Sequence, residues 1–151
     1  MVITQILGNI HHQSRATNKK TDELFIEWFE TNKRIQHLKT EAGQPIIIQF
    51  MGENQFLSEG DLLFEDENQQ IIVRILPCEV IILEPKSILE MGAACYEVGN
   101  KHVPVFMDSN RILMPYEEPM FKWLSKNGYQ PKLGKEALIN KLSANVEHHH
   151  H

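Results

Sequence analysis

Residues 87–104 read SILEMGAACYEVGNKHVP and contain the first helix that the sequence predicts. Ser87, with Glu90 three residues later, forms a capping box, in which each side chain accepts a backbone N–H group of the first helical turn. Four apolar residues then recur at spacings of three and four and share one face: Ile88, Met91, Cys95 and Val98. The pattern predicts a helix over 87–98 with that face buried, and Gly99-Asn100 is expected to end or bend it.

Strand-length segments lie on both sides of this helix. Before it, six short β-rich runs are separated by turn residues, at 2–7, 24–30, 34–39, 46–50, 61–64 and 71–76. From Pro77 onward, the sequence predicts strands at 78–83, 103–107 and 111–116, and a second helix at 117–126. With one more strand beyond Gly128, the order β, α, β, β, α, β is the split βαβ, or ferredoxin-like, arrangement.

These segments predict an α+β fold in two domains. We expect an N-terminal small all-β barrel or sandwich over residues 1–75, a ferredoxin-like C-terminal domain over 76–146, and a flexible histidine-rich tail at 147–151. Residues 11–22 lack apolar periodicity and are expected to form an exposed loop. Phe25, Trp28 and Phe29 are expected to be core residues, although exposed aromatic surface there would suit a docked partner.

Composition argues against several classes of protein. The 151 residues are 42% apolar and 23% charged, a balance that supports a folded core. A formal charge of −5 argues against a nucleic-acid partner, because such binding needs clustered positive charge. No apolar run approaches the ~20 residues that span a bilayer and no signal peptide is evident, so we expect no membrane association and a cytoplasmic location. Cys78 and Cys95 show no disulfide pattern, in agreement with that compartment.

His102 is the leading candidate for a metal ligand in the folded region. It lies four residues beyond Val98, on the continuation of the apolar helix face. A lone histidine is more often a polar residue satisfied near a helix end, and one imidazole falls short of the roughly four to six donors of a metal site. Two-fold dimerisation through this helix face would bring His102 next to its symmetry copy and double the number of ligands.

The other histidines fall into two groups. Four close the sequence and are either a metal-binding extension or the remnant of an expression tag: His148, His149, His150 and His151. Two such tails could complete the coordination around paired His102 side chains, because imidazole binds Ni²⁺, Cu²⁺, Zn²⁺ and Co²⁺. His11 and His12 are more simply explained as solvated loop residues, His37 as a strand surface residue, and Cys95 as a small buried apolar group.

Residues 94–104, ACYEVGNKHVP, resemble the signature of the urease accessory protein E (UreE) family. Members of that family are nickel metallochaperones. Residues 2–8, the block Leu57-x-x-Gly60-Asp61-x-Leu63 and residues 111–116 also look like family positions. The resemblance implies a β domain similar to peptide-binding modules and a ferredoxin-like domain that forms a homodimer. It further implies one interface Ni²⁺ held by His102 of both subunits and by tail histidines. The ion would pass to the urease maturation GTPase UreG, acting with other accessory proteins on apo-urease.

Lys101 departs from the family pattern, which commonly has arginine there, so a two-point guanidinium contact would become a single-point one. Zn²⁺ or Cu²⁺ would bind the same imidazoles, since affinity alone does not reject them.

An alternative function is a metal-independent interaction module that docks partners through the β domain. We expect no enzyme activity and assign no catalytic residue, because the sequence has no Ser-His-Asp, Cys-His or His-Glu-x-x-His signature and no glycine-rich phosphate loop.

Overall fold

The structure, a computed structural model, describes residues 1–12, 18–52 and 55–143. The chain divides into two compact units, Met1–Leu76 and Pro77–His151. The histidines at 148–151 lie outside the described residues. Among the described residues, no helix is long and apolar enough to cross a membrane.

The first unit consists of two small sheets and one short helix. One sheet has the order β1-β5-β4, with β1 at Val2–Ile3, β5 at Pro45–Gln49 and β4 at Ile35–Lys39. The other has the order β2-β6-β7-β3, with β2 at Gly8–Asn9, β6 at Asp61–Glu65, β7 at Gln69–Ile75 and β3 at Lys20–Ile26. The pairs β1 with β5 and β3 with β7 are parallel, and the remaining pairs are antiparallel.

Alternation of buried and exposed residues places the core of this unit. In β5, Ile46 and Ile48 are buried while the residues between and beside them are partly or fully exposed, the period of two expected of a half-buried strand. Isoleucine, leucine and valine from the longer strands complete the core: Leu24, Ile26, Leu62, Leu63, Ile71, Ile72, Val73 and Ile75. Because β-branched side chains pack well on a pleated surface, these runs form strands rather than helices.

The predicted strand at 24–30 and the predicted loop at 11–22 are both wrong in part. Strand β3 begins at Lys20, inside the predicted loop, and ends at Ile26, after which Trp28–Glu30 forms a 3₁₀-helix. Phe25 and Phe29 are exposed, so the prediction that they are core residues is also wrong. Trp28 is half-buried and lies edge to face with Phe29 at 5.6 Å between ring centroids.

The second unit has the predicted order of elements. These are β8 (Pro77–Leu83), α1 (Ile88–Asn100), β9 (Phe106–Asp108), β10 (Arg111–Pro115), α2 (Glu118–Lys126) and β11 (Lys132–Ala137). The sheet is antiparallel with the order β11-β8-β10-β9, the ferredoxin-like arrangement. The predicted α+β fold class is therefore confirmed. The strand expected at 103–107 begins later, at Phe106.

Both helices pack on one face of this sheet. Their buried residues meet the residues that point to that face from β8 and β10: Ala94, Val98, Met120, Leu124, Ile81, Leu83, Ile112 and Met114. Met91 and Cys95 are partly buried against the same core, as predicted. Ile88 is not, because its side chain is 92% exposed, so the buried face begins at Met91, one turn later than predicted.

After β11 the chain crosses to the other edge of the sheet. Residues 138–142, which we call the C-terminal strap, pair with β9 around the opposed residues Phe106 and Lys141. The Leu142 N–H donates to the Val105 carbonyl oxygen at 2.7 Å, and the Met107 N–H donates to the Asn140 carbonyl oxygen at 3.2 Å. The strap therefore covers an edge strand that would otherwise present unpaired backbone groups.

Candidate metal centre

His102 lies at the turn that ends α1. The helix runs through Gly99 and ends at Asn100, within the pair predicted to end or bend it and two residues beyond the expected last residue Val98; Lys101 is the C-cap. The Lys101 N–H donates to the Val98 carbonyl at 3.1 Å and the His102 N–H donates to the Gly99 carbonyl at 3.0 Å. These bonds satisfy two of the carbonyl groups that a helix end leaves without intrahelical partners.

His102 adopts a left-handed backbone conformation, with φ of +60°. Glycine is the usual residue at this position of a helix terminus, because a Cβ atom makes the conformation unfavourable for other residues. The helical periodicity is broken at this turn, so His102 does not continue the face of Met91, Cys95 and Val98 as predicted. Its side chain is exposed.

Lys101 is held against the second helix. Its ammonium nitrogen lies 4.2 Å from the centroid of the Trp123 ring, within the range of a cation–π interaction. Trp123 in turn stacks on Tyr129, with ring centroids 6.3 Å apart. Burial raises the pKa of the Tyr129 hydroxyl, and the charge and hydrogen bond of Glu97 raise it further. These contacts link the C-terminal turn of α1 to α2.

A second apolar face of α1 is exposed. It lies opposite the buried Ala94 and Val98, and we call it the exposed α1 face: Leu89, Gly92, Ala93, Tyr96 and Asn100. Leu89 is 83% exposed and Tyr96 is 71% exposed. Two large apolar side chains exposed on the same helix face are a feature of protein interfaces.

The exposed α1 face corrects the predicted geometry of dimerisation. The face expected to mediate it, with Met91, Cys95 and Val98, is already packed inside the C-terminal unit. The spacing of Leu89, Gly92, Ala93 and Tyr96 is also three and four, so the sequence contains a second helical stripe beside that of Met91, Cys95 and Val98. Nothing in the sequence pattern alone distinguishes which stripe faces the sheet.

The other candidate ligands within residues 1–12, 18–52 and 55–143 do not form a site in one chain. In the part of the chain that the structure describes, no group of three or more His, Cys, Asp or Glu side chains could hold a metal ion. His11 is exposed and lies over Gly60, and His12 is exposed beside it. Burial raises the pKa of the Cys95 thiol, which disfavours the thiolate that binds metal.

Known proteins resemble this chain along its whole length. Residues 3–76 match the family model described as the N-terminal domain of the UreE urease accessory protein. The urease accessory protein UreE of Flavobacterium johnsoniae is 44% identical over 151 residues, which is 100% of this chain and 91% of that protein. The chain belongs to the UreE family. UreE of Actinobacillus pleuropneumoniae is 36% identical, with 99% of this chain and 81% of that protein covered. For UreE of Helicobacter pylori the identity is 33%, with 99% and 89% covered.

The similarity to UreE confirms the family that residues 94–104 indicated. These relatives are named as accessory proteins of urease, not as ureases, which supports the expectation that this UreE chain is not an enzyme. The family model covers the two-sheet unit, whereas the exposed α1 face and His102 lie beyond it and are covered by the relatives.

Proposed function

We propose that this protein is a nickel metallochaperone that acts in urease maturation. Two copies pair through the exposed α1 face, and the two His102 imidazoles bind one Ni²⁺ ion at the two-fold axis. The observation that carries the proposal is an exposed apolar helix face that ends, within two residues, at an exposed histidine. The names of the relatives supply the link to urease.

Pairing between identical copies is favoured by the donor count. His102 alone is one ligand, and the described residues of one chain add no cluster around it. A two-fold interface is isologous, so a residue near the axis contributes twice. Gly92 and Ala93 in the middle of the face add little bulk, and a Cβ atom built on Gly92 would meet nothing within 4 Å, which leaves room for a second helix.

The tail histidines would add ligands to the same ion. The strap pairs with Val105, three positions after His102 in the sequence, and His148 follows Leu142 by six residues. Six residues extend to at most about 20 Å, which exceeds the roughly 11 Å of chain between His102 and Val105. His148, His149, His150 and His151 can therefore reach the ion that His102 binds.

A shell made of a few imidazoles suits an ion that is cargo. Such ligands bind Zn²⁺ and Cu²⁺ as well as Ni²⁺, so the supply of nickel and the receiving partner must provide selectivity.

We propose that the C-terminal unit is the metal-binding and dimerisation domain, and that the N-terminal unit contacts partners. Those partners are the GTPase UreG and the apo-urease complex. The cytoplasmic location stays a prediction.

Calorimetric titration with Ni²⁺ tests the proposal. The His102→Ala variant should fold and lose the tightest site, while removal of 148–151 should weaken binding without abolishing it. His37→Ala is the matched control, because His37 is also exposed but lies on β4 of the other unit. An unchanged tight site in the His102 variant would exclude the assignment.

A second candidate function is a metal-independent interaction module. It is favoured by large apolar side chains that are exposed on the N-terminal unit: Phe29, Ile35, Met51 and Phe56. Under this alternative, partner binding survives chelation of all divalent ions and is lost in a Phe29→Ser variant. Under the nickel proposal, chelation releases the cargo and weakens the dimer, since a shared ion stabilises the state that binds it.

A further inference from the structure

Lys101 connects the turn that carries His102 to the second helix. Its backbone N–H donates to the Val98 carbonyl oxygen at 3.1 Å, so its main chain is part of the end of α1. Its ammonium nitrogen lies 4.2 Å from the centroid of the Trp123 ring, which belongs to α2. The side chain therefore ties the conformation of the turn to the position of a ring on the other helix.

The Trp123 ring is held in place by its own contacts. It is partly buried against the core of the second unit and stacks on Tyr129, with 28° between the ring planes. Tyr129 is anchored in turn, because its N–H donates to the carbonyl oxygen of the buried Leu124 at 3.1 Å. The ring has already lost much of its side-chain entropy on folding, so a cation bound on its face is restricted at little further cost.

The turn that follows α1 needs a stabilising contact. His102 has φ of +60°, a conformation that is unfavourable for a residue with a Cβ atom. One backbone hydrogen bond, from the His102 N–H to the Gly99 carbonyl oxygen, helps to hold it. The His102 side chain is exposed and contributes little packing. The contact of the preceding residue with α2 is therefore well placed to offset the strain.

We propose that Lys101 is a positioning residue for His102, and that its contact with Trp123 holds the strained turn in the conformation from which His102 binds the cargo ion. The inference rests on the nickel function proposed above. Lys101 does not itself bind the ion, because a protonated ammonium group has no lone pair. An exposed cation–π contact favours the state that contains it by about 2- to 5-fold. A shared ion depends on the turns of both chains, so loss of both contacts should raise the nickel dissociation constant about 4- to 25-fold.

A simple effect of charge predicts the opposite sign. The positive charge of Lys101 repels a divalent cation bound by the next residue, so its removal alone would tighten nickel binding. Calorimetric titration of the full chain with Ni²⁺ distinguishes the two. Lys101→Met removes both the charge and the contact, Trp123→Leu removes only the contact, and Lys101→Arg keeps both, because a guanidinium group also binds aromatic faces. We expect weaker binding in the first two variants and unchanged binding in Lys101→Arg.

Amide exchange of His102, followed by NMR in metal-free protein, measures the turn without nickel. This N–H is bonded to Gly99, so its exchange reports opening of the turn. Exchange should be about 2- to 5-fold faster in Lys101→Met and unchanged in Lys101→Arg. The matched control is Lys135→Met, because Lys135 is also an exposed lysine of this unit but lies on β11. The control makes the same change in net charge and should leave both exchange and nickel binding unchanged.

The outcomes separate this inference from the function on which it depends. If Lys101→Met binds nickel as tightly as the parent chain or more tightly, while His102→Ala loses the site, the function stands and the positioning role is wrong. If exchange at His102 is unchanged in Lys101→Met, the contact does not hold the turn and the inference is wrong. If His102→Ala leaves nickel binding unchanged, the proposed function fails and the inference fails with it. Faster exchange and weaker binding in Lys101→Met, both restored in Lys101→Arg, support both.

Discussion

Replacing His102 by glycine should stabilise the protein while removing its proposed metal ligand. The side chain is exposed, so its loss removes no packing, and the backbone hydrogen bond to Gly99 is kept. The left-handed conformation at φ +60° costs a residue with a Cβ atom about 1–2 kcal/mol. Glycine also raises the conformational entropy of the unfolded chain, which lowers the free energy of unfolding by about 0.4–1 kcal/mol. The difference predicts a gain of about 0.5–1 kcal/mol in the free energy of unfolding.

Urea denaturation of metal-free protein, followed by circular dichroism at two protein concentrations, measures this gain. His102→Ala is the first control, because alanine keeps the strained conformation and should gain nothing. Ser109→Gly is the second, because Ser109 has φ of +55°, is exposed, and lies in the turn between β9 and β10. It should be stabilised by a similar amount with unchanged nickel binding. A His102→Gly variant no more stable than His102→Ala would refute the claim that this turn is strained.

Three further predictions concern the interface, the C-cap and the acid range. Tyr96→Glu should convert the dimer to monomer in sedimentation velocity without lowering the thermal midpoint of the monomer. Leu133→Glu, at another exposed apolar site on β11, should leave the dimer intact. Lys101→Met should lose about 0.5–1 kcal/mol of stability with the cation–π contact, and Lys101→Arg should retain it. The hydrogen bond from Arg111 lowers the pKa of Glu136. This carboxylate therefore stabilises the fold above its unfolded pKa, and its contribution to stability is lost as the pH falls through the lowered folded pKa. The Glu136→Gln variant should show a weaker loss of stability than the parent chain between pH 6 and pH 3 in urea titrations.

The fold class could be predicted because local signals agreed with the final packing. The Ser87 cap is present, with its hydroxyl oxygen accepting the Glu90 N–H at 3.1 Å, since a capping interaction depends on four neighbouring residues only. Strands β5, β7, β8 and β10 lie within two residues of their predicted bounds because each contains at least three consecutive apolar residues close to turn residues. The errors at 24–30 and at Ile88 have another origin. Both depend on which apolar residues find a partner in the tertiary structure, and local spacing does not determine that.

The candidate site was predictable only in part. His102 could be selected from its place after a helix and from the resemblance of the residues around it. The left-handed conformation of His102 could not be predicted, because helix ends of this kind are recognised in a sequence by a glycine, and the residue here is a histidine between lysine and valine. The contact of Lys101 with Trp123 joins residues 22 positions apart, and the strap joins 142 to 105, so both required the structure.

The parallel pairing of β3 with β7 constrains how the first unit can form. Thr21 and Gln70, whose side chains are hydrogen-bonded, are 49 positions apart, and every residue of β3 is paired at the same separation. Closing a loop of that length precedes any gain from the pairing, which slows folding relative to hairpins. During synthesis, β3 therefore cannot pair fully with β7 until the chain has been extended past Ile75.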